Sequence, residues 1–524
     1  MNILKQGWWR MKEFAGVEGG ATYLWPRWWV LRAVGLVYLI IFAGILVEGT
    51  ALIGPEGIVP VSHFCEMLEK IFPNVIERLI RAPSFFWLSN APGMIHGLGY
   101  CGLGAAIALV LNLWPRMALF ACWSILLSFI SVWQIFSPTI IDQLMLEVAL
   151  VCIAWAPAGF RPGLGIDSPP RAIAVFMLRW LLLRIMLESG LVKVFAGDSH
   201  WRDFTALDVM YETNPSPTLL GYYDAHFPHA YHVFEIVLTL MAEIVGPVLA
   251  VFGGRRGRWI ALGLWVILQG GIQLTGNFGW LNTAAIALGL VLLDDQMISD
   301  SARRLGLRRL AERISNLRIP ATLRRPRWRT IGMSAFLWLH FALSLYFLGV
   351  LCTGKTVQGI PDAKTRPIDY LFRDFRSANA YFPFASFPMG KFEIEFAGSN
   401  DNGQTWRFYP FRYKPQQEDR IGPFIAPWFA RFDSALQLAL QSNSPIIPIV
   451  ARKLILRNPE VMRLFESDPF PDQRPHIVRI VVFRMAFTDL ATYRKTREFW
   501  TKNYEADLTP PIYLNEAGQV VEGR

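Results

Sequence analysis

The chain has 524 residues, of which 53% are hydrophobic and 18% charged, and its formal net charge is +10. A mean hydropathy of +0.31 in a chain of this length indicates a polytopic membrane protein rather than a soluble domain. The basic residues concentrate in short segments between apolar runs, where they orient a membrane protein, and this distribution argues against nucleic-acid binding.

Residues 1–28 form a basic and aromatic N-terminal segment that begins MNILKQGWWRMKEF. This segment lacks the short apolar core and the small-residue cleavage site of a secretory signal peptide. We therefore expect the first apolar run to act as an uncleaved signal-anchor. Residues 1–28 are then predicted to be cytoplasmic.

Residues 29–354 are predicted to form a multi-span helical membrane domain. A transmembrane helix needs about 20 apolar residues to cross a hydrocarbon core of roughly 30 Å. About nine runs approach that length, and they begin near Trp29, Ala91, Met117, Thr139, Ala172, Val233, Trp259, Gly279 and Ile331. The runs at Thr139 and Gly279 are short, so either could be re-entrant and the number of spans could shift by one or two.

The basic residues give the orientation, because Lys and Arg collect on the cytoplasmic side of a membrane protein. In a nine-span arrangement with the N-terminus inside, every basic cluster falls on one side. The densest is the Arg-rich cytoplasmic segment 296–330, which we expect to form an interfacial helix. An outward loop near residues 193–232 and the chain after the last span then face the other side.

Ionisable side chains lie inside several apolar runs, where each is costly unless it is paired or lines a polar cavity. Asp142 and Glu147 lie in one run, and Arg184 and Glu188 lie in the next. The structural interpretation is that Arg184 pairs with Glu147 or Glu188 and holds helices together. The functional alternative is a polar cavity among these helices that opens outward.

The outward loop begins with a mixed-sign cluster, in the sequence SGLVKVFAGDSHWRDF. Most lysines at the end of a membrane helix are interfacial anchors or ion-pair partners. The structural interpretation of Lys193 is therefore an anchor or an ion-pair partner. A lysine at the rim of a low-dielectric cavity could instead act as a base. We predict a polar cluster at the rim of such a cavity. Its members are Asp142, Glu147, Arg184 and Glu188 from the apolar runs and Asp198, His200, Trp201, Arg202 and Asp203 from the loop.

The sequence predicts no metal and no cofactor. It contains no Walker A motif, no G-x-S-x-G, no H-E-x-x-H, no dinucleotide fingerprint and no C-x-x-C. The three histidines of HFPHAYH would spread around a helix instead of converging on one ion, and we interpret them as interfacial. Cys65 and Cys352 both fall at the outward face, but nothing in the sequence brings them together, so their pairing stays open.

Residues 355–524 are predicted to form an extracytoplasmic α+β domain that is rich in strands. The segment KFEIEFAGSNDNGQTWRFYPFRYKP alternates polar and apolar residues around a turn, which indicates a β-hairpin. HIVRIVVFRMAFT indicates another strand, and APWFARFDSALQLALQS indicates an amphipathic helix.

Several segments together resemble the lipase maturation factor family, in the same order and over nearly the whole chain. They are ALIGPEGIVPV, DQLMLEVAL, the stretch ending WRDFTALDVMYETNPSP, GNFGWLNTAAIALGLVLLDD and NAYFPFASF with the hairpin that follows. The resemblance implies an endoplasmic-reticulum membrane protein that assists the folding, assembly and secretion of lipases and is not an enzyme. Its partners would be the lipid bilayer and a secreted client protein.

The resemblance also implies that the C-terminal domain engages the client. We expect client contacts from an aromatic and basic set: Trp406, Arg407, Tyr409, Arg412, Tyr413, Arg431 and Asp433. The chain departs from the family pattern at Ser434, where a tryptophan follows the aspartate in other members. A shared aromatic contact at that position is therefore not expected.

The stretch from Gly190 to Asp203 also resembles the vitamin K-dependent γ-carboxylase and its relatives. That resemblance implies an alternative function, an integral-membrane enzyme in which Lys193 is the base acting on a quinone or lipid-like substrate at an outward-opening cavity.

The C-terminal domain would lie in the periplasm if the protein resides in a bacterial inner membrane, and in the lumen if it resides in the endoplasmic reticulum.

Overall fold

The computed structural model describes residues 3–137, 140–195, 198–317, 319, 327–352, 374–442, 444–515 and 519–522. The described residues up to 352 form a helical bundle, and those from 374 onwards form a C-terminal domain of strands and short helices. This agrees with a helical membrane protein that carries a C-terminal α+β domain. The predicted boundary at residue 355 lies outside the described residues.

The first half of the bundle contains long apolar helices and shorter helices that connect them. They are α1 (Ile3–Phe14), α2 (Leu24–Ile53), α3 (Val61–Ile71), α4 (Val75–Arg81), α5 (Pro92–Val110), α6 (Pro115–Val132), α7 (Ile140–Trp155) and α8 (Ala172–Phe195). Two single 3₁₀ turns, Phe85–Trp87 and Gln134–Phe136, precede α5 and α7.

Short helices in the predicted outward loop lead into the second half of the bundle. The short helices are α9 (Ser199–Arg202), α10 (Ala206–Thr213) and α11 (Leu219–Asp224). The second half contains α12 (His229–Leu240), α13 (Gly246–Phe252), α14 (Gly254–Thr275), α15 (Leu281–Gly289), α16 (Asp295–Arg304), α17 (Arg308–Ser315) and α18 (Arg327–Cys352). A π-helical turn, Met241–Val245, joins α12 to α13, and a 3₁₀ turn, Leu290–Leu292, follows α15.

The described helices include four that are long and apolar enough to cross a membrane: Leu24–Ile53, Pro92–Val110, Pro115–Val132 and His229–Phe252. A fifth candidate is the pair Leu281–Leu292 and Asp295–Arg304, which is bent by 95°. The protein is therefore integral to a membrane. The prediction of nine spans remains a prediction, because α7 has only 16 residues and α8 contains buried charges.

The basic segments meet at one end of the bundle, which we call the basic end: residues 14–27, 155–168, 254–258 and 291–304. Arg179 donates hydrogen bonds to the carbonyls of Phe14 and Val291, and Arg258 lies 3.4 Å from Asp294. The Asp295 carboxylate accepts from the first backbone amides of α2 and so caps that helix from a distance of 270 residues along the chain.

The C-terminal domain packs against the opposite end of the bundle. Its six-stranded antiparallel sheet contains β1 (Lys391–Ser399), β2 (Arg407–Phe408), β3 (Ile477–Phe487), β4 (Trp500–Asp507), β5 (Ile512–Leu514) and β6 (Val520–Glu522). Four helices complete it: α19 (Arg431–Ser442), α20 (Ile446–Ile455), α21 (Pro459–Met462) and α22 (Leu490–Thr496). One apolar core continues from the bundle into this domain.

The register of the sheet confirms the predicted hairpin and the predicted third strand. Ala397 of β1 pairs with Phe408 of β2, and β1 pairs with β3 from Lys391 with Met485 to Ser399 with Ile477. The amphipathic helix is also present as α19. Both faces of β1 are buried, so its polar side chains face protein instead of water.

Candidate functional site

A cavity of about 1200 Å³ lies between the helical bundle and the C-terminal domain. The bundle contributes walls from α8, α10, α12, α14 and α15, and the C-terminal domain contributes the segments 381–392, 429–440 and 505–508. Most of the lining side chains are aliphatic or aromatic. The cavity is therefore a mainly apolar space whose walls also carry polar and charged side chains.

Lys193 is one of those polar groups. Its ammonium donates to the Glu243 carboxylate at 2.9 Å and to the Ser189 carbonyl at 3.1 Å, and it lies 5.2 Å from the ring centroid of Trp201. Both Lys193 and Glu243 are buried. The side chain predicted to be an anchor or a base is thus one half of a buried ion pair in the cavity wall.

Local sequence explains how Glu243 reaches Lys193. Pro247 cannot donate a backbone hydrogen bond to residue 243, and the helix accommodates this with the π-helical turn Met241–Val245. Gly190 lets α8 approach this turn, because a Cβ there would lie 2.8 Å from Ile244 Cγ1. The only signal for this pairing in the sequence is that an apolar run contains the carboxylate Glu243.

Arg184 forms the ion pairs that the sequence predicted. It lies 2.7 Å from Glu147 and 2.9 Å from Glu188, and all three side chains are fully buried. The segment just before β1 completes the cluster: the backbone amides of Asn379 and Tyr381 donate to Glu147 and Glu188 at 2.9 Å and 2.7 Å. The cluster fastens the C-terminal domain to α7 and α8 and does not open onto the cavity.

A second buried ion pair joins the same two parts of the protein. The Arg431 guanidinium binds Asp142 through both nitrogens at 2.7 Å and donates to the Phe136 carbonyl at 3.1 Å. It also stacks 4.5 Å from the ring centroid of Trp133. Asp142 and Glu147 point to different sides of α7, so each one binds a different segment of the C-terminal domain.

The residues that follow Lys193 shape the edge of the cavity. Asp198 caps α9 by accepting from the His200 amide at 2.9 Å and also accepts from the Phe387 amide at 3.2 Å. Trp201 is buried, lines the cavity and donates to the Phe384 carbonyl at 3.0 Å. Arg202 and Asp203 are exposed.

The proposed client-contact residues fall into three groups. Arg407 and Arg412 are exposed, and Trp406 and Tyr413 are half-buried. Tyr409, Arg431 and Asp433 are buried, at 0%, 2% and 4% exposure. The last three therefore support the fold in this structure, and only the first four are placed where a partner protein can reach them.

Sequence analysis also missed a row of charges buried on the polar face of β1. Lys391 and Lys414 lie 2.6 Å and 2.9 Å from the two oxygens of Glu393. Burial opposes ionisation of Glu393, but the two ammonium groups outweigh it and lower the pKa of this carboxyl. Lys391 also donates to the carbonyls of Asn214 and Pro215, which ties the sheet to the loop after α10.

The three histidines of the outward loop bind neighbouring protein groups. His229 and His232 each contact one oxygen of Asp208, at 2.8 Å and 2.5 Å. His226 contacts the carbonyls of Tyr222 and Thr488, both at 2.7 Å. Among the described residues, no group of three or more His, Cys, Asp or Glu side chains is arranged to hold a metal ion.

The cysteine pairing is not tested by the structure. Cys65 is buried and has a free thiol, and the Cys352 side chain lies outside the described residues. Burial raises the pKa of the Cys65 thiol to about 11, which makes it a poor nucleophile.

Two family models match consecutive parts of the chain. The model described as the lipase maturation factor transmembrane domain matches residues 25–300, and the model described as the lipase maturation factor C-terminal domain matches residues 377–510. These matches coincide with the helical bundle and with the domain that packs against it. No solved structure is significantly similar to the chain.

Full-length relatives show the same correspondence. The chain is 26% identical to lipase maturation factor 1 of Bos taurus over 87% of its own length and 82% of that protein. It is 25% identical to lipase maturation factor 1 of Homo sapiens over 94% of its length and 89% of that protein. It is 24% identical to lipase maturation factor 2 of Xenopus laevis over 92% of its length and 81% of that protein.

Proposed function

Because the chain belongs to the lipase maturation factor family, we propose that it is a membrane-embedded factor that assists the folding or assembly of secreted client proteins such as lipases. The observation that carries the proposal is the match to both family domains in their order, with relatives of that name covered over most of their length. The client is a partner of the C-terminal domain.

The geometry supports a role as a rigid platform. The C-terminal domain is held to the bundle through two buried arginine clusters, centred on Arg184 and Arg431, and through Asn277, whose side chain binds the backbone of residues 423–426. Buried, hydrogen-bonded charges fix one relative orientation of the elements they join. A platform of this kind can present one surface to a partner without rearranging.

We propose that the partner surface lies at the hairpin end of the sheet. Trp406 is half-buried beneath Arg479, whose guanidinium lies 4.2 Å from the Trp406 ring centroid. Arg407, the next residue in the chain, and Arg412 are exposed. Tryptophan and arginine are enriched at the residues that dominate protein interfaces, because they offer large contact area and several hydrogen-bond donors.

Co-expression with a secreted lipase in cells that lack their own factor tests this proposal. The double variant W406A/R407A should reduce secreted lipase activity at equal levels of folded membrane protein. The matched control is Y504A/R484A, which removes an exposed tyrosine and an exposed arginine at the other end of the sheet. Equal losses in both variants, or none in either, would contradict a partner surface at the hairpin.

The cavity beside Lys193 favours a second candidate function, the membrane enzyme with Lys193 as base. Because Lys193 pairs with Glu243, replacing Lys193 alone would leave the negative charge of Glu243 buried without a partner. The variant K193M/E243Q removes both charges and keeps the shape. A maturation factor without Lys193 chemistry should retain client yield per folded molecule in this variant, whereas an enzyme that uses Lys193 should lose all activity.

We further propose that the C-terminal domain faces the extracytoplasmic side. The basic end carries the Arg-rich α16 and α17, and basic segments are retained in the cytoplasm. The opposite end, with the C-terminal domain, then lies in the periplasm of a bacterium or in the lumen of the endoplasmic reticulum, where secreted clients fold.

A further inference from the structure

The cavity opens sideways, between α12 and α14. Phe234 of α12 and Ile267 of α14 both line it, and they are 60% and 59% exposed. α14 packs mainly against α13, and α12, which precedes the π-helical turn, has little contact with α14. The cavity therefore reaches the outer surface of the bundle through the gap between these two helices.

The surface around this gap is apolar. Large hydrophobic side chains are exposed on both sides of the gap: Phe234, Val237, Met241, Val248 and Phe252 on α12, the π-helical turn and α13, and Trp259, Ile260, Val266, Ile267 and Leu274 on α14. The span His229–Phe252 is long and apolar enough to cross a membrane. In an integral membrane protein, an exposed apolar surface of this kind faces lipid, so the gap faces the bilayer.

Some of the polar groups in the cavity wall bind one another, while Asn282 Oδ1 is buried without a hydrogen-bond partner. Lys193 binds Glu243, and the Asn282 amide donates to Gln269 at 2.8 Å. The remaining wall is mostly aliphatic and aromatic. Such a cavity favours an occupant that is mostly apolar, because a polar ligand would lose its hydration along most of the wall without gaining partners there.

The size of the cavity favours a long molecule. Sites for drug-sized ligands occupy about 300–1,000 Å³, and this cavity, at about 1200 Å³, exceeds that range. An apolar chain that enters from the bilayer needs no passage through water. Tyr231, which lines the cavity and is 39% exposed, offers an amphipathic side chain next to the gap.

We propose that the cavity is a binding site for the acyl chain of a bilayer lipid, which enters laterally between α12 and α14. The chain occupies the apolar space beneath the C-terminal domain, and the head group remains at the gap. This inference does not depend on the proposed maturation function, and its test uses no client protein.

The test uses a phosphatidylethanolamine that carries a photoactivatable diazirine in one acyl chain, with the full-length protein reconstituted in vesicles. Ile185 and Leu207 line the cavity and are each only 6% exposed, so the outer lipid does not reach them. We expect cross-links at peptides containing these two residues. We also expect cross-links at Val248, which is 52% exposed, as a marker of the outer surface.

Two neighbouring glycines of α14 provide a matched pair of variants. Gly271 lines the cavity and Gly270 does not, and a Cβ at either position meets no atom within 4 Å. G271W should reduce cross-linking at Ile185 and Leu207 by about tenfold, because the indole displaces buried methylenes of the bound chain. G270W should leave it unchanged, and labelling at Val248 should persist in both.

Any of three results would overturn the proposal. The first is labelling confined to Val248 in the unaltered protein, and the second is equal labelling of the interior peptides in both glycine variants. The third is recovery of an isoprenoid quinone, and no acyl lipid, by mass spectrometry of the protein purified in mild detergent. If G271W does not fold, S434W narrows the cavity from the side of the C-terminal domain and should give the same loss.

Discussion

Arg431 illustrates how much one residue contributes when it joins two parts of a protein. Its guanidinium is 2% exposed and satisfies Asp142 through two hydrogen bonds, while its backbone amide donates to Glu48 at 3.0 Å. Removing one partner of such a pair leaves the other charge buried and unpaired. The loss therefore exceeds that of an ordinary surface ion pair.

We expect R431M to lower the free energy of unfolding by about 3–5 kcal/mol. Thermal unfolding of the detergent-solubilised protein, followed by size-exclusion chromatography, measures the change. R407M is the matched control, because Arg407 is exposed and its loss should change the midpoint little. A midpoint for R431M equal to that of R407M would show that the ion pair does not hold the domains together.

Asp433 makes a pH-dependent contribution to stability. Burial raises its pKa from 3.8 to about 7, although the charge of Lys414 acts in the other direction. Between those two pH values the folded protein holds a proton that the unfolded chain has released. The free energy of unfolding therefore falls as pH rises through this window, by at most about 1.4 kcal/mol per pH unit from this group.

The variant D433N should remove that slope. The difference in unfolding midpoint between the original protein and D433N, measured at pH 5, 6, 7 and 8, should shift in favour of D433N as pH rises to 7 and then level off. A difference that stays constant over this range would mean that Asp433 is ionised throughout.

At the scale of elements, the contact between α8 and the π-helical turn depends on a glycine. A Cβ at Gly190 would lie 2.8 Å from Ile244 Cγ1 and 3.0 Å from Glu243 Cβ. G190A should therefore separate the two elements, weaken the ion pair of Lys193 with Glu243 and destabilise the protein by about 1–3 kcal/mol. Thermal unfolding of the purified variant measures the loss.

Gly104 of α5 is the control for this substitution, because a Cβ there meets no atom within 4 Å. G104A should leave stability unchanged or raise it by up to about 1 kcal/mol, since alanine is the better helix former. If both alanine variants are stabilised, the close approach at Gly190 is not required.

The sequence predicted elements better than partners. Alternation in β1 and β3 and the helical spacing in α19 were sufficient to place those elements, and Arg184 could be assigned to carboxylates within four residues or in the adjacent apolar run. The pairing of Asp142 with Arg431 spans 289 residues and has no local pattern. Polar alternation in β1 does not reveal that its charged face is buried, since that depends on residues far along the chain.

At the scale of the whole molecule, the two ends differ in charge and in partners. Arg27, Arg179 and Arg258 are buried at the basic end, where they bind backbone carbonyls and carboxylates. The opposite end carries the C-terminal domain and the cavity. This asymmetry supports the proposed orientation, in which the basic end lies in the cytoplasm.

Single cysteines at positions 309 and 420 test this orientation in a background whose native cysteines are serine. Arg309 lies in α17 at the basic side and Arg420 lies in the C-terminal domain, and both are exposed. In intact bacterial spheroplasts, a membrane-impermeant maleimide should label R420C and leave R309C unlabelled until the membrane is opened. Labelling of R309C alone would show the opposite orientation, with the proposed client surface in the cytoplasm, where secreted proteins do not fold.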